Sequence, residues 1–537
     1  MDLLLTGGLV YDGTGAAPLL RDIGIVNGRL VLDAADGAAA GAVTEVRDVS
    51  GLAICPGFVD IHTHSDLTLL SNPLGGSKIR QGVTTEVVGN CGLGLAPLPA
   101  VGADGAADIE SVRAAVGYLD LDPAIAVSWR SFGEYLQALD VARPAMNVAA
   151  FAAHLPLHAQ VVGLDDRPAD AGQIRAMVAL LEESLAAGAV GLSTGLVYAP
   201  LCYVGEDELL ALGTAVAKWD RLFAWHIRDY ADDLIPSVQQ AIRVARATGC
   251  RLQISHLTAV GRRNWGAVSH ALAEVDAARA DGCDIGVDIY PYLAGNAPLS
   301  QLLPDWAQEG GSEVFAPRLR DQAVRARIAT DWADRHWDWV DIVVNTIADD
   351  RANAPGVADL LGKTIVEIAE ASGAAPEDTV LDLLADHGGA VFMVAFGRSD
   401  DDLRAVLGHS ATVVASDGQA LDPEGPTGMS GMPHPRSYGC FPRYLAHYAS
   451  DLADGIRRCT SSPADRVGLF DRGRIADGLP ADLVIFDPAT FVDTATFAAP
   501  QQFPTGIAAV LVGGRTVIDH QLDTGARPGA IIGKEQR

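Results

Sequence analysis

The stretch Phe58-Val59-Asp60-Ile61-His62-Thr63-His64-Ser65-Asp66 decides how this chain folds. It is an apolar run, typical of a buried strand, that ends in two histidines one residue apart. Side chains at positions i and i+2 of a strand project from the same face, so His62 and His64 are placed to bind one metal ion. Such a pair is more often an ordinary strand end, so a metal site requires further ligands from the rest of the chain.

Strand-like apolar runs alternate with helical patterns from about residue 56 to about residue 470. Repeated βα units in this number predict an α/β fold with a closed (β/α)8 TIM-like barrel. An open doubly wound sheet is the alternative, but no Gly-x-Gly-x-x-Gly sequence follows an early strand. Beyond the histidine strand, strands are predicted at residues 83–89, 147–153, 189–193, 222–225, 251–255, 284–290, 340–345, 390–395 and 411–416, and helices at residues 171–187 and 236–248.

Both ends of the chain contain short strands separated by glycine and aspartate. The Asn27-Gly28 pair between two β-rich runs is a hairpin signal. We therefore expect residues 1–55 and 471–537 to form the two halves of one small β-sandwich domain, with the barrel of residues 56–470 between them. Residues from about 295 to 350 are expected to form an insertion that acts as a lid.

The composition restricts the class of partner. The 537 residues include 39 basic and 68 acidic side chains, a formal charge of −29, which argues against nucleic acid or an anionic membrane surface. A small molecule is therefore the expected partner. The chain has no basic leader and no run of about 18 apolar residues, so we expect a soluble cytoplasmic protein. Its seven cysteines show no paired spacing and are expected to be free thiols.

Potential metal ligands follow five of the predicted strands. In a barrel that builds its site at the carboxyl ends of its strands, such residues converge. Four histidines, a thiolate and a carboxylate are enough for two metal ions that keep open positions for water, as a hydrolytic site requires. The candidates are His62, His64, Cys91, His226, His256 and Asp417. Each has an ordinary structural explanation alone, but six together favour a metal site.

The order of short motifs resembles that of a known family over almost the whole chain. The motifs include Pro56-Gly57 before the histidine strand, Gly89-Asn90-Cys91-Gly92, Gly191-Leu192-Ser193-Thr194-Gly195-Leu196-Val197-Tyr198, His226-Ile227-Arg228-Asp229, Ile254-Ser255-His256-Leu257, Asp288-Ile289-Tyr290-Pro291-Tyr292, Ser416-Asp417-Gly418 and His434-Pro435-Arg436-Ser437-Tyr438-Gly439. Through them the chain resembles the N-acyl-D-amino-acid deacylase (D-aminoacylase) family of the amidohydrolase superfamily.

This resemblance implies a metal-dependent hydrolase barrel that cleaves the amide bond of N-acyl-D-amino acids or related amides with zinc. The tight metal site would consist of Cys91, His226 and His256, and a second, weaker site of His62, His64 and Asp417 with Cys91 bridging. Asp417 would be the general base and acid. The substrate-binding residues would be Tyr198, Tyr290 and Arg436.

The lysines support a cysteine bridge. Many relatives bridge two metals with a carboxylated lysine at the fourth strand. Here the chain has only four lysines, and none is predicted at the end of a barrel strand: Lys78, Lys218, Lys363 and Lys534. A cysteine or a carboxylate must therefore bridge, and Cys91 is placed to do so.

Departures from the family fall around the substrate. Thr258 stands where deacylases usually have lysine, Tyr230 replaces an acidic residue, Pro200-Leu201 replaces Pro-Gly, and Ala153-His154-Leu155-Pro156-Leu157-His158 replaces Gly-His-Gly-Thr-Leu-Arg. Metal-dependent C–N hydrolysis is thus better supported than a free N-acyl-D-amino acid as substrate. The alternatives are a cyclic-amide hydrolase of the hydantoinase or dihydroorotase type and a non-catalytic scaffold. The oligomeric state stays open.

Overall fold

A ring of parallel strands lies at the centre of the molecule. The computed structural model describes residues 1–32, 43–98, 109–119, 122, 124–333, 335, 337–348, 356–425 and 431–533. Within these residues, eight strand positions follow each other around the ring: β8 (Phe58–Asp60), β9 (Val83–Val88), β10 (Asn147–Ala150) continued by β11 (Ala152–Ala153), β12 (Gly191–Gly195), β13 (Leu222–His226), β14 (Arg251–Ile254), β15 (Ile285–Ile289) and β19 (Thr412–Val414). Neighbouring strands pair in parallel.

The first and last strands of the ring meet just beyond their ends. A parallel bridge pairs Thr63 with Gly418. The backbone N–H of His64 donates to the carbonyl of Gly418 at 2.8 Å, and that of Asp417 donates to the carbonyl of His62 at 2.9 Å. The predicted closed barrel is therefore confirmed. Three predicted metal ligands, His62, His64 and Asp417, take part in the contact between its first and last strands.

Helices surround the barrel, and their ends follow the expected capping chemistry. The predicted helix at residues 171–187 begins after Asp170, whose side chain accepts from the N–H groups of Gly172 and Gln173. The predicted helix at residues 236–248 ends before Gly249, which has φ 72°. The helices outside the insertion are α1 (Thr68–Ser71), α2 (Gly76–Ile79), α3 (Ile109–Ala115), α4 (Phe132–Ala142), α5 (His154–Val161), α6 (Ala171–Ala186), α7 (Glu206–Lys218), α8 (Leu234–Thr248), α9 (Val268–Ala280), α14 (Asp400–Gly408), α15 (Arg436–His447), α16 (Leu452–Cys459) and α17 (Ser461–Val467). Among the described helices, none combines the length and the apolar character that a bilayer crossing demands.

Two further sheets contain the strands near the ends of the chain, and the larger of them combines strands from both ends. The larger sheet joins β2 (Leu9–Val10), β3 (Leu19–Leu20) and β7 (Ala53–Pro56) with β20 (Leu483–Phe486), β21 (Ile507–Val512), β22 (Arg515–Asp519) and β23 (Leu522–Asp523). The smaller sheet consists of β1 (Leu3–Thr6), β4 (Ile23–Val26), β5 (Arg29–Leu32) and β6 (Glu45–Asp48). Leu5 and Ile23 of the smaller sheet share one apolar core with Ile485 and Leu511 of the larger. The predicted hairpin at Asn27-Gly28 connects β4 to β5, and both turn residues have positive φ.

An insertion between β15 and β19 corrects the strand assignment. Residues 340–345 and 390–395 were predicted in the same series as the barrel strands. Instead, β17 (Ile342–Ile347) and β18 (Val391–Ala395) form an antiparallel sheet with β16 (Gly295–Pro298) outside the ring. This sheet and helices α10 (Ser312–Arg318), α11 (Gln322–Trp332), α12 (Ile365–Ser372) and α13 (Pro376–His387) have an apolar core of their own. The predicted lid region at about 295–350 lies here, and the unit continues to Ala395. Its role as a lid and the predicted domain boundaries stay predictions.

Short 3-10 turns complete the described secondary structure. They are Gly117–Leu119, Leu201–Tyr203, Arg262–Asn264, Leu299–Leu302, Asp305–Gln308, Trp339–Asp341 and Gly388–Ala390.

Candidate metal and substrate site

A cavity of about 980 Å³ opens at the carboxyl ends of the barrel strands. Strand-end residues form its floor, and residues of the insertion form part of its wall. Five of the six predicted metal ligands line it: His64, Cys91, His226, His256 and Asp417. The sixth, His62, is fully buried and contacts two of these residues directly. The structure therefore brings all six predicted ligands to one place.

Four of these ligands are spaced like the shell of a single metal ion. One donor atom from each of His62, Cys91, His256 and Asp417 lies within 4.8 Å of the others. The Cys91 Sγ lies 3.2 Å from His62 Nε2 and 3.5 Å from His256 Nε2, and His62 Nε2 lies 3.3 Å from Asp417 Oδ1. Ligands at ordinary zinc bond lengths, arranged tetrahedrally, are roughly 3.3 to 3.6 Å apart. The donor set therefore fits zinc in both chemistry and spacing.

The remaining two histidines lie beside this group. Neither ring nitrogen of His226 has a hydrogen-bond partner among the described residues, although both are buried. Its ring centroid lies 4.5 Å from that of His256. His64 Nε2 lies 3.0 Å from Asp417 Oδ1. Burial lowers the pKa of His226 to about 3. Burial also lowers the pKa of His64 to about 4, although Asp417 accepts a hydrogen bond from this histidine and opposes the shift. Both imidazoles are thus neutral, as metal ligands must be.

The backbone is strained where the ligands are presented. Within the described chain, eight residues other than glycine have positive φ, and three of them belong to this site: Cys91 at 55°, His256 at 35° and Asp417 at 51°. This region is unfavourable for side chains with a Cβ atom and recurs at functional positions. At Gly92, next to Cys91, a Cβ atom would lie 2.7 Å from the backbone nitrogen of Gly195, so only glycine fits this turn.

The charges of the site are balanced around His62. Burial would lower the pKa of His62, but Cys91, Asp288 and Asp417 outweigh it and raise that pKa well above its usual range. Burial would raise the pKa of Asp417, but Arg436 and His62 lower it well below its usual range. Burial raises the pKa of the Cys91 thiol to about 11, with His62 opposing. Without a metal, the positive charge of this cluster is the proton on His62, and a divalent cation would supply that charge instead. A bound cation also lowers the pKa of a coordinated thiol.

Two residues that the sequence had not assigned support these ligands. Asp288, on β15, accepts from His62 Nδ1 at 3.1 Å and from the backbone N–H of His256 at 2.8 Å. This contact fixes the tautomer that leaves His62 Nε2 as the ligand atom. The ring of Tyr230 lies 5.0 Å from that of His226 and 5.1 Å from that of His256, and its hydroxyl donates to the carbonyl of Ser255. Asp288 stood in a motif of the sequence and Tyr230 at a departure from the family pattern, but only their contacts reveal what they do.

The predicted substrate residues occupy the same region. Tyr198 and Tyr290 line the cavity, and the ring of Tyr198 lies 4.9 Å from that of His226. Arg436 is buried, lies 4.7 Å from the centroid of the Tyr290 ring, and donates from Nη1 to Asp417 Oδ2 at 2.7 Å. Arg436 thus holds the predicted proton carrier. Its predicted contact with a substrate carboxylate stays a prediction.

The described lysines are absent from the barrel strand ends, as expected. Lys78 lies on α2, fully buried, with Nζ 2.8 Å from Asp60 Oδ2 and 3.3 Å from Glu86 Oε1, and it also contacts the Ser416 hydroxyl. It is committed to an internal ion cluster and does not reach the metal ligands. Lys534 lies outside the described residues.

A second group of metal-binding side chains lies outside the cavity. His154 and His158 on α5 both contact Oε1 of Glu208 on α7, at 2.7 and 2.9 Å. Thr194 Oγ1 lies 2.9 Å from His154 Nδ1. These separations are hydrogen-bond lengths, shorter than the spacing of roughly 3.3 Å between ligands of tetrahedral zinc. The group is therefore a hydrogen-bonded triad that joins α5 to α7. Its two histidines belong to the segment Ala153–His158, one of the segments that differ from the family motif.

Known proteins resemble this chain over its whole length. The family model described as amidohydrolase family matches residues 45–518. A D-aminoacylase from Alcaligenes xylosoxydans xylosoxydans is 32% identical over 540 residues, which cover 99% of this chain and 98% of the relative. The crystal structure of N-acyl-D-glutamate deacylase from Bordetella bronchiseptica, complexed with zinc and a phosphonate mimic of the tetrahedral intermediate, has a TM-score of 0.81 at 30% identity and covers 99% of both chains. A D-aminoacylase structure concerned with the role of a binuclear metal centre has a TM-score of 0.79 at 31% identity, also over 99% of both chains.

The cyclic-amide alternative is supported by the fold alone. A D-hydantoinase structure covers 100% of this chain and 99% of its own, but with a TM-score of 0.55 at 14% identity.

Proposed function

We propose, because the chain belongs to the amidohydrolase family and within it to the N-acyl-D-amino-acid deacylases, that it is a zinc-dependent hydrolase of the amide bond in N-acyl-D-amino acids or related amides. The observation that carries the proposal is the convergence of His62, Cys91, His256 and Asp417 at the spacing of a metal shell. The substrate is a small molecule that enters the cavity above them.

The ligands divide into a tight and a weak set. In this proposal the tight zinc is held by Cys91, His226 and His256, and a weaker second divalent ion by His62, His64 and Asp417 with Cys91 shared. Zinc bound there supplies a Lewis acid for the scissile carbonyl and lowers the pKa of the attacking water. Neither ring nitrogen of His226 has a hydrogen-bond partner in the described part of the chain, and this supports its place in the tight set.

Asp417 carries the proton in this mechanism. Its Oδ2 is fixed by Arg436 at 2.7 Å, while its Oδ1 faces the histidines at 3.3 and 3.0 Å. The Arg436 charge keeps the carboxylate ionised, so it is ready to accept the proton of the attacking water. The carboxyl group of Asp417 then delivers that proton to the nitrogen of the leaving amine. Tyr198 and Tyr290 line the cavity and are assigned to polarise the amide carbonyl or to hold the substrate.

Zinc analysis combined with turnover of an amide panel tests the proposal. The panel contains N-acetyl-D- and N-acetyl-L-amino acids, their carboxamides, and hydantoin as the cyclic amide. We expect the wild-type protein to contain zinc and to hydrolyse acyclic D-amides, and Asp417→Asn to lower kcat by about 10²- to 10⁴-fold. Cys91→Ala is expected to lose the tight zinc.

A matched carboxylate provides the control. Asp233 lines the same cavity but is exposed, so Asp233→Asn is expected to keep near-wild-type turnover. A zinc-free wild type, or full activity in Asp417→Asn, would contradict the enzyme mechanism. Turnover of hydantoin alone would favour the cyclic-amide alternative, and a full zinc complement in Cys91→Ala would refute the cysteine bridge.

A further inference from the structure

One guanidinium in the cavity wall has unused hydrogen-bond donors. Arg398 lines the cavity together with Tyr290 and Asp417. Its Nε and Nη1 atoms are buried, and neither has a hydrogen-bond partner among the residues that the structure describes. A buried donor without a partner is costly, because it has lost its water without a replacement. A ligand that accepts from either nitrogen removes part of this cost.

The surroundings of Arg398 are built to hold its side chain in place. Its Cζ atom lies 4.9 Å from the centroid of the Tyr290 ring, a cation–π distance. Beside it, Gly295 has no side chain, and a Cβ atom there would lie 2.6 Å from Nη2 of Arg398 and 3.6 Å from the Tyr290 hydroxyl oxygen. The missing side chain thus leaves the space in which the guanidinium and the tyrosine hydroxyl meet.

Several other arginines in or beside this cavity are engaged with protein groups. Arg436 is paired with Asp417, and Arg262 is paired with Asp341 at 2.7 Å. Arg228 donates to the backbone carbonyls of two residues at 2.8 and 2.7 Å. Arg398 lines the same cavity as the predicted metal ligands His256 and Asp417. It is therefore a cation next to the reaction centre with donors available for a ligand.

We propose that Arg398 binds a carboxylate of the substrate. Thr258 lines the same cavity but has no charge, so it supplies no cation for such a group. The planar fork of an arginine pairs with both oxygens of a carboxylate, and the Tyr290 hydroxyl stands beside it. The carboxylate is either the α-carboxylate of an N-acyl amino acid or an acidic side chain of that amino acid. This inference rests on the proposed amide hydrolysis.

Four substrates and three variants test the role of Arg398. N-acetyl-D-leucine carries only an α-carboxylate, and N-acetyl-D-leucinamide carries no carboxylate. N-acetyl-D-glutamate carries both an α-carboxylate and a side-chain carboxylate, whereas N-acetyl-D-isoglutamine carries only the side-chain carboxylate. In Arg398→Gln we expect kcat/KM to fall roughly 10- to 150-fold for the substrates with the recognised carboxylate, the range of one charge-assisted hydrogen bond. The loss should be mainly in KM, with N-acetyl-D-leucinamide changed less than about twofold.

Two further variants separate recognition from folding. Arg398→Lys keeps the charge without the fork and should restore part of the loss. Gly295→Ala keeps Arg398 but places a methyl group against its Nη2, and should reproduce the selective loss. Arg243→Gln is the control: this arginine also lines the cavity and is half exposed, so it removes one positive charge without selective loss.

The outcomes identify the carboxylate or overturn the assignment. A selective loss on N-acetyl-D-leucine identifies the α-carboxylate, and one on N-acetyl-D-isoglutamine identifies the side chain. An equal loss on the leucinamide, or no loss on any substrate, overturns the role of Arg398 while amide hydrolysis stands. If the wild type hydrolyses no amide, the proposed function fails, and calorimetric titration with N-acetyl-D-leucine and N-acetyl-D-isoglutamine then decides. Equal affinity in wild type and Arg398→Gln for both compounds overturns the carboxylate role.

Discussion

Replacement of Asp288 by asparagine removes a charge without changing the size of the side chain. Asp288 Oδ1 accepts from His62 Nδ1 at 3.1 Å and from the His256 backbone at 2.8 Å, while Oδ2 accepts from Gln253 Nε2 at 3.0 Å. An asparagine that keeps Oδ1 must point its NH2 group at the NH2 group of Gln253. Gln253 cannot turn its amide over, because its Oε1 already accepts from Arg466 Nε at 3.1 Å. The substitution therefore breaks one contact and weakens another.

The expected cost follows from these contacts. His62 loses a charge-assisted hydrogen bond, worth about 1.5 to 3 kcal/mol. This corresponds to a roughly 10- to 150-fold loss of metal affinity, in line with the 10- to 100-fold cost of removing an outer partner of a metal-bound histidine. The loss should fall on the weaker site, because the proposed division of the ligands assigns His62 to it. Titration with a competing zinc chelator measures it, with kcat/KM followed in parallel.

A second buried carboxylate is the control for this experiment. Asp402 accepts from the Gly266 N–H at 3.0 and 2.9 Å and lies outside the metal cluster. Asp402→Asn should change the free energy of unfolding but not the affinity for zinc. The reasoning is refuted if Asp288→Asn binds both zinc equivalents within twofold of the wild type, or if Asp402→Asn weakens zinc equally.

Two further predictions concern stability. Lys78→Met should lower the free energy of unfolding by about 3 to 5 kcal/mol in urea titration, because Asp60 and Glu86 stay buried without their cation. Lys218→Met, which breaks an exposed pair, should cost less than about 1 kcal/mol, and equal costs for the two would contradict this account. Burial would raise the pKa of Glu208, but hydrogen bonds from the two histidines of α5 lower it to about 2, below the value of about 4.3 expected in the unfolded chain. The resulting stabilisation, roughly 3 kcal/mol, is complete above the unfolded pKa and lost as pH falls towards 2, so the Tm difference between wild type and Glu208→Gln should shrink between pH 6 and pH 3. A difference that is constant over this range would contradict the assignment.

The sequence predicted the parts of the fold that depend on local pattern. The His-x-His strand, the Asn27-Gly28 hairpin and the helix after Asp170 are each set by residues close in the chain, and each is where it was expected. The two strands of the insertion were misassigned because an apolar run of six residues has the same pattern in a barrel and in a separate antiparallel sheet. Only the pairing partners distinguish the two, and these lie far away in sequence.

The candidate site also has a part that the sequence predicted and a part that it could not predict. The six predicted ligands follow strands whose carboxyl ends meet, so the barrel prediction placed them together. Arg398 could not be predicted, because it follows a strand of the insertion and no motif surrounds it. The support that Asp288 gives to His62 depends on two side chains 226 residues apart, and only the closed ring brings them within 3.1 Å.

The bridge between Thr63 and Gly418 has a consequence for how the enzyme matures. His62 and Asp417 belong to the first and last strands of the ring, so a growing chain holds Cys91, His226 and His256 long before Asp417 emerges. Contacts of such long sequence separation form late and slowly in folding. Zinc that favours the complete site stabilises the closed ring by mass action. In the proposed division of the ligands, full metal affinity therefore requires a finished barrel. A chain that stops before Thr412–Val414 should retain the proposed tight ligands, but it should lack the contact between the first and last strands and the proposed proton carrier.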